Sequence, residues 1–362
     1  MKKNFLKVIL ILLGTVISIG IIVFIFKIYQ LNNLEKMSSD NMIKYVTKND
    51  DNIKISIAII KDGVVNFQIY GKDGKQEEYT KYDYEIGSIS KTFVALMLSK
   101  AINEKKINLN NSISEYLKLD KDKYYPTIER IITHTSGYKN YYFDKQMINN
   151  NINEDNDFYG ISKEKILHKV KNINLKDKDY KFEYSNFGIS VIGLVLEKIY
   201  NKDFVSLMNE FIVNDLSLKN TKAATCTGNL KNYWNWKQDD GYIPAGAIIS
   251  NIEDMAKYLE LYINDRKDYV KGTYTELKQI NANNFIYEKL DIRIDEIGMT
   301  WMIDTKKNIV WHNGGTSNFN SYMGFNKEKN IGVVIFSNIA SNKKIPMTVI
   351  GAKKMNELYN NN

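Results

Sequence analysis

From Val8 to Phe26 the chain runs for nineteen residues without a charged side chain. A helix of that length, at ~1.5 Å per residue, reaches roughly 28 Å, the thickness of a bilayer's hydrocarbon core. Lys2, Lys3 and Lys7 precede the run, and a positive flank there favours an N-terminus inside and the remaining body outside. A cleaved signal peptide would have a shorter apolar region ending in small residues. Phe26-Lys27-Ile28-Tyr29-Gln30 offers no such site, and no nearby cysteine follows for lipid attachment. The reading is a single-pass membrane protein, with the lipid bilayer as partner through residues 8–26 and an extracellular body. Residues 1–28 are the cytoplasmic tip and transmembrane signal anchor, 29–50 a polar, Asn-rich, partly helical tether, and 51–361 the body.

Composition narrows the chemistry open to that body. Cys226 is the only cysteine, so no disulfide forms within the chain. The only histidines are His134, His168 and His312, too few for Cys/His metal chemistry; no metal and no cofactor is expected. The net charge of +8 would suit nucleic acid, an anionic membrane or an anionic polymer. An extracellular body removes nucleic acid from that set. A compositional reading competes for the charge: arginine occurs only at Arg130, Arg266 and Arg293, while Asn, Ile, Lys and Tyr abound, the usage of an AT-rich genome.

Strand patterns lie at both ends of the body. Ile53 to Ile60, the Lys61-Asp62-Gly63 turn and Val64 to Tyr70 predict a β-hairpin. Further strands are expected over Met299–Ile303, Ile309–His312, Asn320–Phe325 and Ile331–Phe336, with a closing helix over about Met347–Tyr359. Between them the patterns are helical. Ser88 to Ile102 carries an apolar stretch, Phe93 to Leu98, that is hydrophobic nearly all round and so is buried on most sides. Gly188–Tyr200 shows a single apolar stripe. Ser250-Asn251-Ile252-Glu253 reads as a capping box opening a helix over Ile252–Ile263, and polar Asn149–Asp157 as a surface loop. The expected fold is α/β (α+β). One sheet comes from both chain ends (about 51–115 and 240–361), flanked by helices, with an inserted all-helical lobe over about 116–239.

The best candidate nucleophile is Ser88 in Ser88-Ile89-Ser90-Lys91. Residues three apart share a helix face, so Lys91 can reach the Ser88 hydroxyl. The helix N-terminus presents oriented N–H groups to developing negative charge. A hydroxyl needs an adjacent base, and a desolvated lysine can serve. Alone, this spacing also describes an ordinary helix start. The wider segment, Glu85 to Phe93, resembles the active-site serine motif of the serine β-lactamase and penicillin-binding-protein superfamily, in its class C-like branch. That branch includes esterases, D-amino-acid peptidases and teichoic-acid D-alanyl esterases. Its Y-x-N motif is matched by Tyr184-Ser185-Asn186, and its third motif, K-T-G or H-x-G, by His312-Asn313-Gly314 followed by Gly315. His134-Thr135-Ser136-Gly137 and Pro244-Ala245-Gly246 match supporting segments. The resemblance covers roughly Ile53 to Tyr359.

The resemblance implies a β-lactamase/transpeptidase-like fold with an antiparallel sheet, and a role for each motif residue. Ser88 becomes acylated. Lys91 and Tyr184 share the proton traffic, the tyrosine either ionising or relaying. Asn186 hydrogen-bonds Lys91 and the substrate. The backbone N–H groups of Ser88 and Gly315 form the oxyanion hole, with Gly314 and Gly315 small enough for close backbone approach. His312, where lactamases carry lysine, is mostly neutral at pH 7 and holds a substrate carboxylate less firmly. That favours an esterase or D-amino-acid-directed hydrolase over a true β-lactamase. His134 in this family is a structural loop residue, and no G-x-S-x-G elbow supports a Ser-His-Asp triad. Trp234 and Trp236 either line a cleft or pack the helical lobe. The implied substrates are D-alanyl esters of teichoic acid, D-Ala-containing peptidoglycan peptides, or a small ester or peptide. A penicillin-binding or β-lactam-hydrolysing enzyme, or a non-catalytic wall-binding module, remains the alternative.

Overall fold

The computed structural model describes residues 28–153 and 156–361. The anchor expected over residues 8–26 lies outside them; no described helix is long and apolar enough to cross a membrane. Twelve strands are described. In chain order they are β1 Ile55–Lys61, β2 Val64–Tyr70, β3 Gln76–Glu77, β4 Asp83–Glu85, β5 Lys222–Ala223, β6 Ile248–Asn251, β7 Lys278–Gln279, β8 Glu296–Ile297, β9 Met302–Asp304, β10 Ile309–Gly315, β11 Asn320–Asn326 and β12 Ile331–Ser337. Nine of them form one antiparallel sheet in the order β3-β2-β1-β12-β11-β10-β9-β8-β7. The sheet is assembled from both chain ends, because β1 pairs with β12 in mid-sheet, Ile57 opposite Ile335.

Six helices frame the sheet and the site: α1 Ser39–Val46, α2 Ser90–Asn103, α3 Lys145–Asn153, α4 Asn186–Tyr200, α5 Ile252–Ile263 and α6 Met347–Asn360. Side chains alternate across a strand, and here both faces are covered. Ile55, Ile57, Trp311, Tyr322, Val333 and Ile335 pack with residues of α1 and α6. Ala58, Ile60, Val310, Met323, Val334 and Phe336 pack with α2, α4 and α5. Strands buried on both faces read as apolar runs, which is why the wholly apolar end of β1 carries no polar side. On β10 this parity puts His312 and Gly314 on the α2 side and Asn313 on the α6 side, where its amide donates to Thr348 Oγ1 at 2.8 Å.

Several expectations are corrected. Residues 29–50, expected as a partly helical tether, include α1, and they pack on the body: α1 buries Met42, Ile43 and Val46 against α6. Ser39 N–H donates to Glu357 Oε1 at 2.9 Å, and Lys353 Nζ donates to Glu35 O at 3.0 Å. The Asn-rich loop expected at 149–157 is helical up to Asn153, because buried Asn150 donates to Asp157 O and Tyr159 O at 3.0 and 2.7 Å. The lobe is not all-helical, since β5 pairs with β6 beside β4 in a second, three-stranded sheet. The cap of α5 is Asn251, whose side chain accepts from Asp254 N–H at 3.0 Å. Ser250 belongs to β6 and bonds Thr221 instead, 2.7 Å away. Of the strand expected over Met299–Ile303 only Met302 and Ile303 are in β9; the residues before them turn a hairpin corner, with Gly298 N–H donating to Trp301 O and Thr300 at φ +66°.

Candidate active site

The turn that carries Ser88, the candidate nucleophile, is built by β4 running into α2. Between them Gly87–Ile89 forms a 3₁₀ turn with Gly87 at φ +52°, and a Cβ on Gly87 would stand 2.5 Å from Gly315 N. Only glycine fits there, on conformation and on space alike. The turn sets Ser88 half-exposed at the head of α2 while Lys91, one turn on, is wholly buried.

Lys91 Nζ lies 2.8 Å from Ser88 Oγ and donates to Ala245 O at 2.6 Å. Ala245 sits in the short helical turn Ile243–Gly246, begun by Pro244. Burial holds the Lys91 ammonium pKa well below its ordinary value, because a charge out of water loses its solvation. An amine whose proton is held so loosely, beside a serine hydroxyl, is a base in position.

Tyr184 stands before α4, whose N-cap Ser185 accepts from Gly188 N–H at 2.8 Å. Its ring centre is 4.9 Å from Lys91 Nζ. Burial raises the phenol pKa above its usual range, with the nearby Ser88 hydroxyl opposing. At neutral pH the group is therefore a phenol, which leaves relay rather than ionisation. Asn186 opens α4, its N–H donating to Asn140 Oδ1 at 3.2 Å and its carbonyl accepting from Ser190 Oγ at 3.1 Å. The expected bond from Asn186 to Lys91 is not made among the described residues; the Ala245 carbonyl takes that proton instead.

His312 is buried on β10, 6.4 Å from Tyr184 between ring centres. Its Nδ1 lies 2.7 Å from Asn313 O. A carbonyl only accepts, so Nδ1 carries the proton and Nε2 is a bare acceptor. That Nε2 is buried without a partner among the described residues. Burial, then repulsion from Lys91, depresses the His312 pKa to about 3. As placed, His312 offers a substrate carboxylate neither charge nor an N–H, a stronger departure from lysine than neutrality alone implies.

The two glycines after it differ. A Cβ on Gly314 would meet Ile86 O at 2.0 Å and Ser88 N at 2.9 Å, whereas one on Gly315 meets nothing nearer than Asn320 Nδ2 at 3.5 Å. Within the protein, Gly314 is the position that demands glycine; Gly315 contributes its place beside the Gly87 turn.

His134, at φ +58°, is buried, and its Nδ1 accepts from Ser185 N–H at 3.2 Å. Its ring packs 4.8 Å from that of Tyr184, so it supports the tyrosine segment rather than a triad. His168 is exposed beside Asn172, and Cys226 is exposed too. Trp234 is buried against Phe158 and Trp236. Sequence reasoning assigned no role to Glu85, the last residue of β4. It is buried, accepting from Trp234 N–H at 2.5 Å and from Thr316 Oγ1 at 2.6 Å. One carboxylate thus ties the strand before Ser88 to the residue after Gly315. The visible signal was an acidic residue inside an otherwise apolar Tyr84-Glu85-Ile86 stretch.

A β-lactamase family model matches residues 41–347. The chain belongs to the β-lactamase family. Among curated relatives, protein flp of Staphylococcus aureus (strain MW2) is 24% identical over 342 residues, covering 86% of this chain. The match takes in 65% of the relative, so the chain spans just under two thirds of that protein's length. Among solved structures, a β-lactamase/D-alanine carboxypeptidase from Yersinia pestis superposes with a TM-score of 0.70 at 18% identity, over 88% of this chain and 95% of the other. A D-stereospecific amidohydrolase from Streptomyces sp. gives 0.65 at 16% identity, over 87% and 97%. At these identities the structural likeness shows the fold, that of the serine β-lactamase and penicillin-binding-protein superfamily. Of its β-lactamase-family motif residues, Ser88, Lys91, Tyr184, His312 and Gly314 meet at the seam between β10, α2 and the Tyr184 segment.

Proposed function

We propose that this β-lactamase-family protein is a membrane-anchored, extracytoplasmic serine hydrolase. It forms an acyl-enzyme at Ser88 and acts on D-alanyl esters or D-Ala-containing peptides of the cell envelope. The observation that carries the reading is the fully buried Lys91 amine 2.8 Å from Ser88 Oγ, its pKa held well below the ordinary value by burial. Lys91 takes the hydroxyl proton as Oγ bonds to the substrate carbonyl carbon. The resulting oxyanion accepts from the N–H groups of Ser88 and Gly315, preorganised donors of the kind worth ~3–4 kcal/mol each in such sites. As the bond to the leaving group breaks, that group takes a proton relayed by the Tyr184 phenol. Water then hydrolyses the acyl-serine by the same groups in reverse.

Within this reading, esters come before peptides. A D-alanyl ester has its carboxyl bound in the ester and so needs no cation to hold it. D-Ala-terminated peptides and β-lactams carry a free carboxylate, which His312 is not equipped to hold. The names of the solved neighbours, a D-alanine carboxypeptidase and a D-stereospecific amidohydrolase, support D-configured substrates. The test is to incubate the intact protein in parallel with teichoic acid bearing D-alanyl esters, with muropeptides and with a chromogenic cephalosporin. D-Alanine should be released from the teichoic acid, and Ser88→Ala should abolish release with unchanged melting. Release from muropeptides alone would make the enzyme a peptidase. A stable cephalosporin adduct with no release from either would replace hydrolysis by penicillin binding.

A further inference from the structure

The layer of terminal helices carries an apolar groove of about 920 Å³ at the first of the described residues. Ile28, Leu31, Met37, Tyr45, Phe285 and Ile286 are among its lining residues. Tyr45, Phe285 and Ile286 are 58, 61 and 56% exposed, an unusual gathering of large apolar side chains in water. No acidic residue lines the groove, and the charge in its lining is Lys344. Within three residues of lining positions four lysines are exposed, Lys36, Lys44, Lys48 and Lys343, against two carboxylates, Asp40 and Glu288. Ile28 follows by two residues the last position of the uncharged run Val8–Phe26.

From this conjunction we infer that the groove and its rim rest on the surface of the bilayer, at the level of the headgroups. The inference depends on the reading of residues 8–26 as a membrane anchor. An anchor leaving the bilayer at Phe26 holds the groove within a few ångströms of the headgroups, since one residue of chain spans at most ~3.6 Å. Tyr45 and Phe285 are the side-chain types that settle at that level, where a ring can be part buried and part wet. The exposed lysines face lipid phosphates, and no carboxylate in the lining repels them. The groove residues Leu31, Leu34, Met37 and Ile345 pack on the α1/α6 side of the sheet, whereas α2 packs on the other. Docking therefore turns the α2 side, with the helix headed by Ser88, away from the membrane and toward the wall.

The intact protein with Cys226→Ser and Ile286→Cys, spin-labelled at position 286, is reconstituted into vesicles of phosphatidylcholine and phosphatidylglycerol. A second label at Phe143→Cys, an exposed site on the helical lobe, is the aqueous reference. Collision rates with oxygen and with a water-soluble nickel complex are compared after an alkaline wash. The expected result is an oxygen-to-nickel ratio several-fold higher at 286 than at 143. Equal ratios with the protein retained in the vesicles overturn the docking and leave the anchor standing. Exclusion of both reagents at 286 means that protein covers the groove, a second copy or residues 1–27, and also overturns it. Loss of the protein in the wash overturns the anchor and the docking together.

Discussion

Two lysines in two parts of the molecule carry opposite burdens. Lys163, on the helical lobe, lies between Glu197 at 2.5 Å and Asp203 at 2.7 Å. Burial works against its charge, but the bonds to Asp203 and Glu197 outweigh it and hold its pKa above the ordinary value. Lys91, in the seam beside Ser88, is buried further, and burial drives its pKa the other way. The lobe uses its lysine to join α4 to the segment before it. The seam keeps a lysine that would be more stable charged and wet, and on the proposed function gains a base. Strain of this kind belongs where chemistry needs it.

The comparison breaks most visibly by exchanging each lysine for methionine. Lys91→Met should slow acylation of Ser88 by about 10³-fold, the scale of a lost general base, while raising the melting temperature, because an apolar side chain suits the site better. Lys163→Met should leave acylation unchanged and cost roughly 1–3 kcal/mol in denaturant unfolding, from two carboxylates left without their partner. If both variants lose stability alike, the seam is not the strained region. Next in size are the glycines. Gly314→Ala, whose Cβ would meet Ile86 O at 2.0 Å, should lower activity more than tenfold and cost about 1–3 kcal/mol of overpacking. Gly315→Ala should leave the melting temperature unchanged.

Smaller effects follow pH. The folded-state pKa values of His134 and His312 are depressed, that of His312 to about 3. As pH falls below ~6.5 the unfolded chain takes up those protons first. Their contribution to stability is full above ~6.5 and is lost toward acid, at about 1.4 kcal/mol per pH unit for each. His312→Gln should reduce the slope between about pH 4 and 6 by that amount. The acid limb of the acylation rate belongs to Lys91, whose neutral form is active, and should survive in His312→Gln. Smallest is Lys139→Ala beside the Tyr184 segment. Its pair with Glu183 is 60 and 41% exposed, and losing it should leave the melting temperature unchanged.

Much of this arrangement was legible before the structure. Ser88, Lys91 and Tyr184 do meet, and the strand patterns at the two ends of the body do join in one sheet. What escaped depended on partners far along the sequence. Met42, Ile43 and Val46 form a stripe too short to announce itself, and the α6 surface that covers it lies some three hundred residues downstream. Asn150 belongs to a segment of poor helix formers and becomes helical through its bonds to Asp157 and Tyr159 carbonyls. The proton position on His312 depended on the Asn313 carbonyl, a backbone detail no side-chain pattern encodes. Gly314 and Gly315 look equivalent in sequence; only the approach of Ile86 O separates them.

The central claim is that Ser88 is acylated with Lys91 as its base. The most direct measurement follows acylation by mass spectrometry of the Ser88 peptide, comparing the intact protein with Lys91→Met on a D-alanyl ester or a β-lactam probe. The claim predicts an adduct on Ser88 and a rate about 10³-fold lower in the variant. An adduct on another residue, or an equal rate in both proteins, would contradict it.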